Sequence, residues 1–334
     1  MKIFVTGATG VLGRAAIPVL TRGGHEVRAM THGSDDAARV SGSGVEAAQA
    51  DLFDAGSLGA ALAGCDALLH LASKIPAPPA ARRRSAWEAN DRIRREGTRN
   101  LVEAALASGV GVLVYPSVIF LYRDADDAWV EMGAPLDPPP ILASDLDAEA
   151  EVARFAAAGG RGVVLRLGQL YGPDNPATAA LLQAAREGTA RVFGRAEAYQ
   201  SSIHADDAAA AFRAALEGTL AGIYDLVDDE PLRRREVAAV LAQIVGRSEL
   251  ERPDPHGEGD DVLAEVLGRS LRVANRRLKA ATNWAPTHPS LRAGLAAIAA
   301  EAADAPTPPG RDASSANSPA HGINEPSGAD WVGR

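Results

Sequence analysis

The stretch Lys2-Ile3-Phe4-Val5-Thr6-Gly7-Ala8-Thr9-Gly10-Val11-Leu12-Gly13 decides how the rest of the chain is read. Residues 2–6 are a short β-prone run. A helical pattern follows from Val11 to Arg22, and Gly23-Gly24 stops it. Gly7, Gly10 and Gly13 stand three apart between strand and helix. That arrangement suits a dinucleotide. Gly7 permits the tight turn, Gly10 lets backbone N–H groups approach a pyrophosphate at the helix N-terminus, and Gly13 lets the helix pack close to the sheet. The turn is expected to present Gly7, Thr9, Gly10, Val11, Leu12 and Gly13 to NADP or NAD.

Working outward, short apolar strands alternate with helices. His25–Met30, Val45–Ala50, Ala67–Ala72, Val112–Pro116 and Gly162–Leu167 are expected strands. Thr31–Gly44 is expected as a polar loop. Ser57–Ala63, Trp87–Ala107 and Asp145–Ala158 are expected helices. The alternation predicts an α/β fold, a Rossmann-type doubly wound parallel sheet covered on both faces. Past Gly172 the rhythm loosens into helices at 178–187, 206–217, 236–245, 275–281 and 291–303, with one strand at 222–227. The expected organisation is a dinucleotide-binding domain over 1–172, with an active-site loop at 118–144. A smaller C-terminal substrate lobe over 173–303 interleaves with the sheet. Residues 304–334 have few large apolar groups and are expected to form a disordered tail.

Asp51-Leu52 ends the third strand, where a carboxylate can meet an adenine amino group. Leu71-Ala72-Ser73 lies beside the expected cofactor path. A ribose-binding acid is expected near the end of the second strand, yet Val27-Arg28-Ala29-Met30-Thr31-His32 has none. His32 and Arg14 are placed to face a 2′-phosphate, so NADP is preferred over NAD.

The chain has 334 residues, 46% of them hydrophobic, and a net charge of −9. The acidic balance argues against a nucleic-acid partner. The lone Cys65 excludes an internal disulfide framework and is expected as a small buried hydrophobe. No run is long and apolar enough to span a membrane, and the N-terminus lacks a signal peptide's apolar region. A cytoplasmic protein with a small-molecule substrate is expected, and a homodimer is left open.

These residues resemble the extended short-chain dehydrogenase/reductase family, also called the NAD-dependent epimerase/dehydratase family, over about residues 1–300. Thr6–Gly13 matches its TGxxGxxG turn, and Gly97-Thr98-Arg99-Asn100-Leu101-Val102-Glu103-Ala104-Ala105 its GTxNLxEAA helix. Arg166-Leu167-Gly168-Gln169-Leu170-Tyr171-Gly172-Pro173 matches RPGxxYGP, with Leu167 for the proline. Ile203-His204-Ala205-Asp206-Asp207 matches VHVxD, and Trp284-Ala285-Pro286 matches the late GWxP turn. The resemblance implies redox, epimerisation or dehydration chemistry on sugars and related alcohols or ketones.

The family's catalytic pair does not follow. It uses Tyr-x-x-x-Lys, the tyrosine as acid/base and the lysine to lower its pKa and hold the ribose. This chain has three lysines, Lys2, Lys74 and Lys279, and none stands four places after a tyrosine. The equivalent helix carries Asp145 and Asp147 instead. Ser117 aligns with the first family serine, Val118 with the catalytic one, and Arg94 with a helix asparagine for which Asn90 could substitute. Gln200 stands where nucleotide-sugar members carry a diphosphate-gripping arginine, with Arg195 nearby. His204 is expected to be structural and Asp206 to cap the next helix. The expectation is a variant oxidoreductase, epimerase or lyase on a small substrate that is not a nucleotide sugar, with Tyr122, Ser117 and Lys74 as catalytic candidates. The alternative is a non-catalytic dinucleotide sensor or partner-binding protein.

Overall fold

The computed structural model describes residues 1–304 apart from positions 41, 43, 78, 191, 193 and 251–260. The expected disordered tail therefore lies outside the described residues, save Asp304. The first half runs β1 (Lys2–Thr6), α1 (Val11–Arg22), β2 (Glu26–Thr31), α2 (Ser34–Val40), β3 (Val45–Gln49), α3 (Ala55–Leu62), β4 (Ala67–His70), α4 (Glu88–Arg92), α5 (Thr98–Ala107), β5 (Val112–Val118), β6 (Trp129–Val130) and α6 (Ala143–Ala157). The second half runs β7 (Arg161–Leu167), β8 (Gln169–Tyr171), α7 (Pro176–Glu187), β9 (Tyr199–Gln200), β10 (Ser202–His204), α8 (Ala205–Glu217), β11 (Gly222–Leu226), β12 (Leu232–Arg233), α9 (Arg234–Ile244), α10 (Val262–Leu267), β13 (Arg272–Val273), α11 (Arg276–Ala281) and α12 (Leu291–Asp304).

The central sheet has seven strands in the order β3-β2-β1-β4-β5-β7-β11, all parallel. Alternate side chains of each strand feed opposite faces, as the two-residue period of a strand requires. Ile3 and Val5 of β1 join Ala16 and Leu20 of α1 and Phe212 of α8 in one core. Phe4 joins Leu58 and Leu62 of α3, Leu101 of α5 and Phe155 of α6 in the other. After residue 172 the chain re-enters this sheet, because α8 covers one face and β11 forms its edge. A separate apolar cluster holds α7, α9 and α12 together through Leu182, Val237, Leu241, Leu291 and Leu295.

Several local expectations are corrected. The polar stretch 31–44 contains the helix α2, started by Asp35 and Asp36, which favour a helix N-terminus. Strand β4 stops at His70, two residues early, because Thr6 Oγ1 takes the Ala72 N–H that would have continued the ladder. The segment 87–107 is not one regular helix. A π-helical turn at Ile93–Gly97 separates α4 from α5, and such turns add a residue that reorients side chains. Helix α8 is capped by His204, whose Nδ1 accepts the Asp206 N–H at 3.2 Å, while Asp206 lies within the first turn.

Candidate functional site

The strand order reverses between β1 and β4, so a crevice opens beyond the carboxyl ends of these strands. The glycine turn lies there. Gly7 has φ of +67°, which disfavours any side chain, and a Cβ on it would sit 2.5 Å from the Leu71 carbonyl oxygen. Leu71 and Ala72 thus abut the turn directly. A Cβ at Gly13 would lie 2.3 Å from the Gly7 oxygen, so the close packing of α1 on the turn needs glycine. Gly10 differs: a Cβ there meets only the Gly7 oxygen, at 3.2 Å. It is the N-cap of α1, with extended backbone and no side-chain cap, and no acid occupies the first turn. The helix end therefore turns uncapped amides and its positive dipole toward the crevice, which fits a pyrophosphate.

The remaining candidate residues follow the carboxyl ends of β2, β3 and β4. His32 is exposed just past β2. Asp51 is exposed, and its Oδ1 accepts the Phe53 N–H at 2.9 Å, so one carboxylate oxygen shapes the turn after β3. Leu52 is buried, and its carbonyl accepts from Asn100 Nδ2 at 2.9 Å. Leu71 is buried, Ala72 half-buried and Ser73 exposed. Arg14 is occupied elsewhere, donating to the carbonyls of Thr9 at 2.7 Å and Asp174 at 2.9 Å. Behind the path, Thr6 Oγ1 lies 2.7 Å from His70 Nδ1, and His70 Nε2 lies 3.1 Å from Thr98 Oγ1. Burial, aided by the Arg94 charge, pushes His70 down to about 3 and keeps it neutral. This chain of bonds ties β1, β4 and α5 beneath the turn.

Two of the three catalytic candidates are joined through Arg166, whose guanidinium carbon lies 4.9 Å from the Tyr122 ring centroid and which also pairs with the Glu149 that receives Ser117. Tyr122 is fully buried and its hydroxyl donates to Asp225 at 2.8 Å. Burial first, and then the Asp225 charge, raise its pKa well above the tyrosine range. Ser117 is buried and donates to Glu149 Oε1 at 2.6 Å. Glu149 in turn receives Arg166 through Nε at 2.9 Å and Nη2 at 2.7 Å, a two-pronged buried pair joining α6 to β7. Lys74 is exposed, and its backbone N–H donates to Asn90 Oδ1 at 2.9 Å. Asp145 and Asp147, near the start of α6, meet the π-helical turn instead. Arg94 Nη1 lies 2.7 Å from Asp145 Oδ2 and Arg95 Nε 2.6 Å from Asp147 Oδ2. Ser144 adds a bond to Asp91 at 2.8 Å.

An apolar wall is built from residues that include chain neighbours of these buried groups. Ala81, Trp87, Leu121, Ile141, Leu142 and Val266 form one cluster, with Val118, Phe120 and Leu263 packed on it. It is assembled from the segment after β4, the end of β5, the start of α6 and helix α10. On the substrate side, Gln200 is buried and Arg234 donates to its Oε1, while Gln200 Nε2 donates to Ser202. Arg195 is exposed and pairs with Asp126 at 2.6 Å. Nothing in the sequence pattern marked Glu149, Asp225 or Arg234, because their pairing joins residues 17 to 103 positions apart. Arg94 and Asp145 were visible only as departures from the family pattern.

A doubly wound parallel sheet with an uncapped glycine turn at its switch point defines a dinucleotide-binding α/β protein. Residues 3–225 match the NAD dependent epimerase/dehydratase family, and the chain belongs to it. It is 32% identical over 322 residues to a 3-diazoavenalumate denitrifying reductase from a Streptomyces species, covering 88% of this chain and 99% of that protein. It is 30% identical over 268 residues to a 2-alkyl-3-oxoalkanoate reductase from Stenotrophomonas maltophilia, covering 75% and 78%. The fold is that of Thermus thermophilus UDP-glucose 4-epimerase in complex with NAD, with a TM-score of 0.74 and 22% identity over 91% of this chain and all of that one. It is also that of a human epimerase family protein with NADPH, with a TM-score of 0.72 and 23% identity over 90% and 99%. The family binds NAD(P), and the named sequence relatives are reductases. Among the described residues no helix is long and apolar enough to cross a membrane.

Proposed function

We propose that this chain is an NAD(P)H-dependent reductase of a small substrate that is not a nucleotide sugar. The observation that carries it is the glycine turn, with its uncapped helix end and the Gly10 position left open toward the crevice. The cofactor, when bound, supplies hydride. The protein's part is to bind it, exclude water with the wall around Val118 and Ile141, and shape the space over the ring. Two observations support a non-sugar substrate. The wall is apolar, and Gln200, bonded to Arg234, replaces the arginine that the family resemblance puts there for a diphosphate. The reductase relatives act on 3-diazoavenalumate and 2-alkyl-3-oxoalkanoates by their names, which makes small carboxylated ketones and diazo compounds the first substrates to try. NADPH is the preferred form, since β2 ends without an acid beside the exposed His32. A buried single cysteine suits a cytoplasmic setting.

The burial of Tyr122 and Ser117 favours a second reading, a dinucleotide-binding sensor without turnover. One assay separates the two. NADPH absorbance is followed against a panel of 3-oxoalkanoates, aryl diazo acids and UDP-glucose. Turnover of the small substrates with UDP-glucose inert is expected. Binding of NADPH without turnover of any panel member would favour the sensor, and robust turnover of UDP-glucose would overturn the substrate class.

A further inference from the structure

Four of the nine buried side-chain polar atoms that lack a hydrogen bond among the described residues belong to three neighbours: Asn90 Nδ2, Arg94 Nη1 and both carboxylate oxygens of Asp145. Buried polar groups are nearly always paired, so a cluster of orphans calls for an explanation. Arg94 Nη1 and Asp145 Oδ2 form an ion pair at 2.7 Å outside hydrogen-bond geometry, and each keeps capacity for a further hydrogen bond, since an Nη has two N–H groups and a carboxylate oxygen two lone pairs. The residues are held in place from several sides. Asn90 Oδ1 takes the Lys74 N–H just beyond the Leu71–Ser73 path. Asn90 and Arg94 stand four apart, and the π-helical turn brings Arg94 inward. Ser144 pins the start of α6 to Asp91. Asp145 is in the first turn of α6, the helix that leads from β5 to the parallel β7 and so begins on the carboxyl side of the sheet.

The orphans comprise two acceptors and two donor groups. A hydroxyl carries one donor and two acceptor lone pairs. Two adjacent hydroxyls, each donating to one Asp145 oxygen and accepting from Asn90 or Arg94, would pair all four atoms. We propose that Asn90, Arg94 and Asp145 form a receptor for a vicinal diol. The diol comes either from the second ribose of the dinucleotide or from a hydroxylated substrate. The proposal rests on the dinucleotide reading above. A diol needs the carboxylate form of Asp145. Burial, opposed by Arg94 and reinforced by Glu149 and Asp91, raises that carboxyl to about 7, and the Tyr115 hydroxyl lies against Arg94. Diol binding therefore strengthens between pH 6 and 8.

Calorimetric titration of the full chain with ADP, which lacks the second ribose, and with ADP-ribose, which has it, is the test. It is run on wild type, Asp145→Asn and Asn90→Ala. The last variant leaves the ion pair intact should the first fail to fold. A tenfold or greater loss of ADP-ribose affinity in the variants, with ADP within twofold and only the ADP-ribose affinity rising from pH 6 to 8, assigns the diol to the dinucleotide. If ADP-ribose is indifferent but D-ribose binding to the NADP-loaded chain is lost in the variants, the diol is the substrate's. If neither ligand senses either substitution, the receptor is overturned while the glycine turn stands. If wild type binds neither ADP nor ADP-ribose, the dinucleotide reading falls and the receptor with it.

Discussion

The two ends of the crevice are built in opposite ways. At the glycine turn the polar groups belong to the backbone, and the fold leaves them open: α1 begins without a cap and Gly10 carries nothing into the space before it. Around the end of β5 the polar groups are side chains, and almost all are spent on one another. Ser117, Glu149 and Arg166 form a network, and Tyr122 with Asp225 continues it, because the Arg166 guanidinium packs over the Tyr122 ring. The lesson is that a reactive residue type at a suggestive position says little until its hydrogen bonds are accounted for. A hydroxyl already donating inside the core cannot also serve a ligand without breaking a bond.

The largest effect should come from breaking the closed end. Glu149→Ala leaves Arg166 buried and unpaired and frees Ser117, and removing one partner of a buried pair costs about 3–5 kcal/mol. Urea denaturation should show a loss of that order at pH 7. A change below about 1 kcal/mol would mean the network is not structural.

The open end should respond in a different quantity. Gly10→Val is expected to weaken NADPH binding by roughly a hundredfold or more while the melting temperature holds, because the new side chain projects where the pyrophosphate must approach. Gly13→Val should instead destabilise the apo protein by about 1–3 kcal/mol or more, since its Cβ would meet the Gly7 and Ala8 carbonyls. Calorimetry with NADPH and thermal melts on both variants checks the contrast. A Gly10 variant that binds normally would remove the comparison's first half.

The smallest effect sharpens the second half. Tyr122→Phe removes the donor to Asp225, a loss of about 1–3 kcal/mol for a buried acceptor left alone. The lower end is expected, because burial already raises Asp225 to about 6, so the group can take up a proton rather than stay charged. Turnover of any substrate found should stay within twofold. A collapse of kcat with KM unchanged would return Tyr122 to the reaction.

The glycine spacing, the apolar strand runs and the helix stops determined the doubly wound sheet and the place of the cofactor turn, because these signals are local. A positive φ, a helix start and a buried strand are each encoded within a few residues. The sequence also showed that the tyrosine–lysine pair is missing. It could not show what fills the space, since Tyr122 meets Asp225 across 103 positions and Glu149 meets Arg166 across 17. Nor could it separate the roles of the glycines, which look alike in sequence. Only the approach of Leu71 to Gly7, and of the Gly7 carbonyl to Gly13, distinguishes packing glycines from the open one at Gly10. Which polar groups are spent and which are left free is decided by long-range packing in a low-dielectric interior, where each unpaired group is costly, and that lies in the tertiary structure alone.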